Sequence, residues 1–195
     1  MHDPAVTGCT LELKLECLQV TGSFKARGVM SKLGLLSEDE IARGIVTASG
    51  GNHGLGVAYA GWLAKTPATV YLGHNTPPVK IERLAAWGAT ARLEGAGWDE
   101  ANEAALAHAK RDGLTYIHPF ADEAVIAGQG TVALEIIEDA PDTAILIVPI
   151  GGGGLIAGVA AAAKASVSPS MAAPRSIGGN PESPSPGSSA SSPSS

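Results

Sequence analysis

Between residues 45 and 165 the chain alternates short apolar runs with stretches of helical periodicity, joined by only a few residues each. Ile45–Ala48, Ala68–Leu72, Thr90–Leu93, Leu114–His118 and Ala144–Ile150 read as strands. The stretches after them, His53–Lys65, Pro77–Trp87, Trp98–Arg111, Asp122–Glu138 and Leu155–Ala165, read as helices. This alternation leaves little topological freedom. A strand that returns through a helix pairs in parallel, and the crossovers take one hand. The fold class is therefore α/β, with parallel twisted sheets and flanking helices. The unbroken run Ala144–Ile150 is expected to be buried on both faces. Upstream, Leu11–Leu18 reads as a strand and Ser23–Leu36 as a helix. Ser37-Glu38-Asp39-Glu40 is a capping box opening a short helix that Gly44 ends.

Composition changes near residue 165. Serine and proline make up 18 of the last 30 residues, and such a tract cannot bury enough apolar surface to offset its ordering entropy. Residues 166–195 are therefore expected to be a disordered tail. The formal net charge is −6, with acids and bases interspersed and no basic stripe, so nucleic acid is not an expected partner. No apolar run is long enough for a membrane span, and the N-terminus lacks the pattern of a secretory signal. Cys9 and Cys17 stand without a companion Cys-x-x-Cys, which argues against zinc, and no metal is expected. The expected compartment is the reducing cytoplasm.

In parallel α/β sheets, ligands bind beyond the carboxyl ends of the strands. Three loops lie there. Ser49-Gly50-Gly51-Asn52-His53-Gly54 holds more glycine than a tight turn needs. Its backbone N–H groups can approach an anion at a helix start, and Asn52 offers both a donor and an acceptor. Gly151-Gly152-Gly153-Gly154, between a strand and a helix, has the architecture of a phosphate cradle. Gly152-x-Gly154-x-x-Ala157 also fits a loose dinucleotide fingerprint, but no acidic residue on a second strand follows, so a single compact phosphate is favoured. His118-Pro119-Phe120-Ala121-Asp122 reads as a strand exit with Asp122 as a helix cap. Gly128 and Gly130, inside a helical pattern, point to close packing against another element.

A lysine complements these loops. Lys25 follows Thr21-Gly22-Ser23, a natural helix start, and so falls in the first turn, where the helix end carries partial positive charge. That potential, with desolvation beside Phe24, favours the neutral amine, a nucleophile toward carbonyls.

The segments K-L-E-x-L-Q-V-T-G-S-F-K-A-R-G from Lys14, S-G-G-N-H-G from Ser49, H-P-F-A-D from His118, I-A-G-Q-G-T from Ile126 and G-G-G-G-L from Gly151 occur in this order. In this set the chain resembles the tryptophan-synthase-β-like enzymes (fold type II) that use pyridoxal 5′-phosphate, and within them the threonine/serine dehydratase branch. The resemblance implies that Lys25 forms the Schiff base with the cofactor and acts as base at the substrate Cα. It implies that Phe24 borders the cofactor, that Asn52 bonds the 3′-oxygen, and that Gly151, Gly152, Gly153 and Gly154 bind the phosphate. Ser49 and the amides of Gly50, Gly51 and His53 would receive the substrate carboxylate. The implied reaction is β-elimination of water from L-threonine or L-serine, giving a 2-oxo acid and ammonia, in a family usually homodimeric or higher. Residues 1–45 and 119–165 would form part of a large cofactor domain, and 46–118 a small domain.

Two departures from the family pattern matter. Gly50 stands where related serine racemases carry a second serine, which favours elimination over racemisation. Beyond the glycine loop the chain enters Ser/Pro sequence, and Ile177-Gly178-Gly179-Asn180-Pro181-Glu182 resembles a worn copy of the family's next strand. The large domain is thus expected to be cut short. A β- or γ-replacement enzyme, or a non-catalytic fragment of the fold, are the alternatives.

Overall fold

A computed structural model describes residues 10–166 and the backbone of residues 175–177. Strands β1 (Ile45–Ala48), β2 (Ala68–Leu72), β3 (Thr90–Leu93) and β4 (Thr115–Tyr116) form a four-stranded sheet in the order β3-β2-β1-β4. All pairings are parallel, with Ile45 opposite Ala68 on one side and Thr115 on the other. The period-2 pattern of β1 assigns its residues to two cores. Ile45 joins Val70 and Leu72 under helices α1 (Lys25–Leu33), α3 (Asn52–Ala64) and α4 (Pro78–Ala85). Val46 and Ala48 join Tyr71 under α5 (Trp98–Asp112), whose small residues Ala101, Ala105 and Ala109 recur every four positions and let it lie close to the sheet. Each larger aliphatic side chain so buried contributes about 1.5–3 kcal/mol. The capping box forms as the sequence predicts, with Ser37 and Glu40 satisfying each other's ends of α2 (Glu38–Arg43).

Helix α6 (Glu123–Asp139) packs between α1 and α7 (Gly154–Ser166). Glycines make both approaches possible. A Cβ on Gly128 would lie 2.6 Å from the Cα of Gly28 on α1, and one on Gly130 would lie 2.9 Å from the Gly158 carbonyl oxygen on α7. The close packing expected of these glycines is therefore what the fold contains.

Three expectations need correction. Leu11–Leu18 is not a strand: residues 10–15 carry no regular structure and Glu16–Leu18 is a 3-10 turn. Leu11, Leu13, Leu15 and Leu18 are exposed. What anchors this segment is its charged residues, which bond α1 and α6. The strand at Ala144–Ile150 is shorter, β5 (Ile145–Ile147), and buried on one face alone: Leu146 and Val148 are covered, whereas Ile145 and Ile147 are 53% and 75% exposed. The helices α6 and α7 cover one side of β5, and among the described residues no layer covers the other. Finally, the Ser/Pro tract is not wholly irregular, since β6 (Arg175–Ile177) pairs in parallel with β5. The rest of the tail, and Cys9, lie outside the described residues. No helix among the described residues is long and apolar enough to cross a membrane.

Arg27 connects the irregular N-terminal segment to the helices. Its guanidinium bonds Glu16 through Nε and Nη2 (both 2.8 Å), Glu135 through Nη1 (2.6 Å) and Nη2 (2.8 Å), and the Thr131 hydroxyl through Nη1 (2.9 Å). All five guanidinium donors are thus used. Lys14 adds a second cation to Glu135 at 2.8 Å. These cations hold the Glu135 carboxyl down at about 2. The group therefore contributes stability that is whole above its ordinary value of 4.5 and is lost as pH falls toward 2. Urea midpoints taken from pH 5 down to pH 2.5 are expected to fall, and Glu135→Gln to remove part of that slope. An unchanged slope in the variant would show the carboxylate to be uncoupled from folding.

Candidate functional site

Strand order locates the site before any side chain is considered. From β1 the chain adds β2 and then β3 on one side, and β4 returns to the other side of β1. The crevice at such a reversal, beyond the carboxyl ends of β1 and β4, is where open α/β sheets bind ligands. The two loops that leave those ends are Ser49–Gly51 and Ile117–Asp122.

The first loop is held from within. The Gly51 amide bonds the Ser49 hydroxyl at 3.3 Å, and the indole N–H of Trp98 covers the end of β1 by bonding the Ala48 carbonyl at 2.9 Å. Helix α3 then starts at Asn52, which is exposed. Gly50, Gly51 and Asn52, with Leu55, Leu84, Lys80 and Arg83, line a cavity of about 240 Å³, smaller than typical drug-sized pockets and suited to a small ligand. Lys80 and Arg83 were not singled out from the sequence. Their signal was available in principle: they lie three apart, on one face of α4.

His53 is placed differently from its neighbours. Its ring is 2% exposed and turns away from the open loop to donate Nε2–H to the Ile117 carbonyl at 3.0 Å. The Thr47 hydroxyl donates to the same oxygen at 2.8 Å. Nδ1 is buried with no partner among the described residues. Burial pulls the imidazole down to about 4, and nearby Lys25 and His118 add to this. Only the backbone of His53 thus remains for an anion at the helix start.

Lys25 is the first residue of α1, and its amide lies 3.4 Å from the Ser23 hydroxyl. The side chain reaches the β4 loop, where Nζ donates to the Pro119 carbonyl at 2.6 Å. Burial lowers the amine below its ordinary range. The Phe24 ring, 5.3 Å from Nζ, and the Pro119 carbonyl favour the charged form and oppose that lowering. Phe24 itself packs against the cluster of Val132, Ala133, Leu146, Val148, Val159 and Ala163. The Asn52 loop and Lys25 meet through Gly56: a Cβ there would lie 3.3 Å from the Lys25 carbonyl oxygen, and Asn52 shares that face of α3, four residues before it.

The third loop joins through Phe120. A Cβ on Gly152 would lie 2.5 Å from the Phe120 ring, and one on Gly154 would lie 2.9 Å from its carbonyl oxygen. Gly151 and Gly153 face open space, Gly153 with φ +86°. The loop thus packs on alternate residues and is open on the others, just before the α7 start, where the first amides have no intrahelical acceptor. Pro119 and Phe120 therefore connect Lys25 to the glycine loop, a role the sequence pattern alone did not assign. Asp122 caps α6 as expected, accepting from Ala124 and Val125 at 2.9 and 3.2 Å, and it pairs with Lys32 at 3.0 Å.

The Lys25 amine thus lies at the switch point of a parallel α/β sheet, connected through Pro119 and Phe120 to an open glycine loop. Residues 4–193 match the family described as pyridoxal-phosphate dependent enzyme, and the chain belongs to that family, whose cofactor is pyridoxal phosphate. The L-threonine ammonia-lyase of Thermotoga maritima is 51% identical over 159 residues, which are 82% of this chain and 40% of that relative. Among solved structures, the processed form of threonine deaminase isoform 2 from Solanum lycopersicum superposes with a TM-score of 0.84 at 40% identity, over 90% of this chain and 47% of that one. Maize serine racemase does so with a TM-score of 0.84 at 36% identity, over 90% of this chain and 52% of that one. The chain thus spans about half, or less, of the length of the relatives it matches.

The residues present suit the cofactor. A half-buried amine of lowered basicity is the group an aldehyde requires, and the open backbone at Gly151 and Gly153 is a surface that a side chain would obstruct and a phosphate can approach.

The buried ring of His53 makes a prediction at this site. The unfolded chain binds a proton near pH 6.5, which the folded ring takes up only near 4. Stability should therefore fall on acidification through that window. Urea midpoints between pH 7.5 and 5 are expected to decline in the parent and to flatten in His53→Gln, which keeps a donor for Ile117 without titrating. Parallel curves would contradict the assignment.

Proposed function

We propose that this chain carries the cofactor site of an ammonia-lyase that eliminates water from L-threonine or L-serine, yielding a 2-oxo acid and ammonia. The observation that carries the reading is the Lys25 amine, half-buried at the switch point and held by the Pro119 carbonyl. The names of the relatives, threonine ammonia-lyase and threonine deaminase, support the substrate class. Bound pyridoxal phosphate supplies an electron sink for the carbanion formed at the substrate Cα.

The chain's own groups supply the rest. Lys25 Nζ would hold the cofactor and would serve as the base toward the substrate Cα proton, its basicity lowered by burial. Gly151, Gly152, Gly153 and Gly154 receive the phosphate at the start of α7, with Phe120 fixing the spacing of the loop. Asn52 orients the cofactor ring by a hydrogen bond, and Phe24 borders it. Ser49 and the amides of Gly50, Gly51 and His53 receive the substrate carboxylate, next to the cations of Lys80 and Arg83. Gly50 offers no proton on the face opposite Lys25, which supports elimination over racemisation. Residues 46–118 act as the small domain, with 1–45 and 119–165 belonging to the large one; the pairing of β1 to β4 in one sheet supports this grouping. A cytoplasmic setting belongs to this reading, and Cys17 is exposed and without a disulfide partner among the described residues.

A second reading, cofactor binding without turnover, draws on the uncovered Ile145 and Ile147 of β5. Both readings are tested by adding pyridoxal phosphate to the purified chain and recording the visible band of lysine-bound cofactor. The parent is expected to show the band and Lys25→Ala to lack it. Keto-acid formation from threonine supports the lyase, a band without keto acid supports the second reading, and a band retained in Lys25→Ala overturns both.

A further inference from the structure

The turn that receives Lys25 is organised around a histidine to which neither the cofactor nor the substrate gives a role. Ile117 ends the β4 segment with its carbonyl doubly occupied, by Thr47 and His53. His118 follows. Its Nδ1 accepts the Phe120 amide at 3.2 Å and the Ala121 amide at 2.8 Å, closing a tight loop around Pro119. Pro119 has no N–H to place, and its carbonyl is the group that accepts the hydrogen bond of Lys25 Nζ at 2.6 Å. The Phe120 ring, packed edge-on to the imidazole at 4.6 Å, is also the ring on which Gly152 rests.

We propose that His118 is the positioning residue of this site: its neutral, Nε2-protonated ring folds the turn that aims the Pro119 carbonyl at Lys25 and sets Phe120 beneath the glycine loop. The inference rests on the reading of Lys25 as the cofactor-holding amine. It makes the arrangement dependent on one tautomer. Nδ1 accepts two bonds only while it keeps its lone pair, and a proton there turns it into a third donor facing two others. Both turn bonds are then lost, and with them the seat of the Lys25 amine.

The charged and titratable groups facing the ring set when that happens. Asp122, itself held by Lys32, favours the imidazolium; burial and Lys25 oppose it, and the balance lies below the ordinary histidine range. His53 lies close enough for its own titration to be affected by His118, and it stays neutral down to about pH 4. The Tyr116 ring, 6.1 Å away, completes the surroundings. Near neutral pH the turn is therefore closed, and it opens on acidification.

The test needs no cofactor, so its failure is separable from that of the proposed function. Nitrogen-15 spectra of the histidine-labelled chain report the His118 tautomer across pH 8 to 5. In parallel, trace acetylation from pH 8 down to pH 6, read by mass spectrometry against exposed Lys110, reports the reactivity of the Lys25 amine. The expected tautomer is Nε2–H. His118→Leu, which lacks the acceptor, is expected to change relative Lys25 labelling three-fold or more. His118→Asn, whose Oδ1 can stand where Nδ1 stands, is expected to keep the parent value at pH 8 and to lose the parent's change in relative labelling on acidification. An Nδ1–H tautomer, parent-like labelling in the leucine variant, or leucine-like labelling in a folded asparagine variant each overturns the proposal. If the leucine variant does not fold, the tautomer and the pH profile of the asparagine variant decide it.

Discussion

The whole arrangement depends on where α1 lies, and Arg27 determines that. It stands two residues after Lys25, on the same first turns of helix, and bonds the 3-10 turn at Glu16 and the middle of α6 at Thr131 and Glu135. A guanidinium with every donor occupied has one geometry, unlike a lysine's rotating ammonium. Exposed ion pairs of this kind contribute little each. Here the Arg27 side chain is only 11% exposed, and what the network supplies is registry: it fixes the rotation and height of α1, and so the direction in which Lys25 leaves the helix.

Glycine completes that placement. At Gly28 and Gly128 two helices meet backbone to backbone, and Gly130, two residues on and on the opposite face of α6, does the same with Gly158. Gly56 lets α3 cross α1 at Lys25 itself. Helices that touch through backbone cannot slide without opening a void, and voids in a close-packed interior are costly. Lys25 is therefore mounted on rigid elements, and the other groups proposed for the site come from the loops leaving β1 and β4 and from the loop before α7. Such a division, rigid scaffold with chemistry in the strand-exit loops, is what the parallel fold favours.

Much of this was legible in the sequence, for identifiable reasons. β2 and β3 have the predicted ends because turn residues bound their apolar runs on both sides. The Ser37 and Asp122 caps followed from local chemistry alone. Leu11–Leu18 misled because its leucines alternate like a strand's, yet no sheet lies beside it, and the charged residues between them make the contacts. The run at β5 looked doubly buried because composition cannot reveal whether a second layer exists. Of the candidate site, Lys25, Asn52 and the glycine loop were legible as types at expected positions. The inward turn of the His53 ring was not, nor were the carbonyl of Pro119, the cations of α4 and the pairing of Arg27 with Glu135 across 108 residues, since each depends on tertiary approach rather than on spacing.

The central claim is that the fold singles out one amine among the chain's lysines. Incubating the purified chain with a slight excess of pyridoxal phosphate, reducing with borohydride and mapping the modified peptide tests it most directly. The account predicts one cofactor per chain, on Lys25, with Lys14, Lys32, Lys65, Lys80, Lys110 and Lys164 unmodified. Label spread over those other lysines, or none on Lys25, would contradict it.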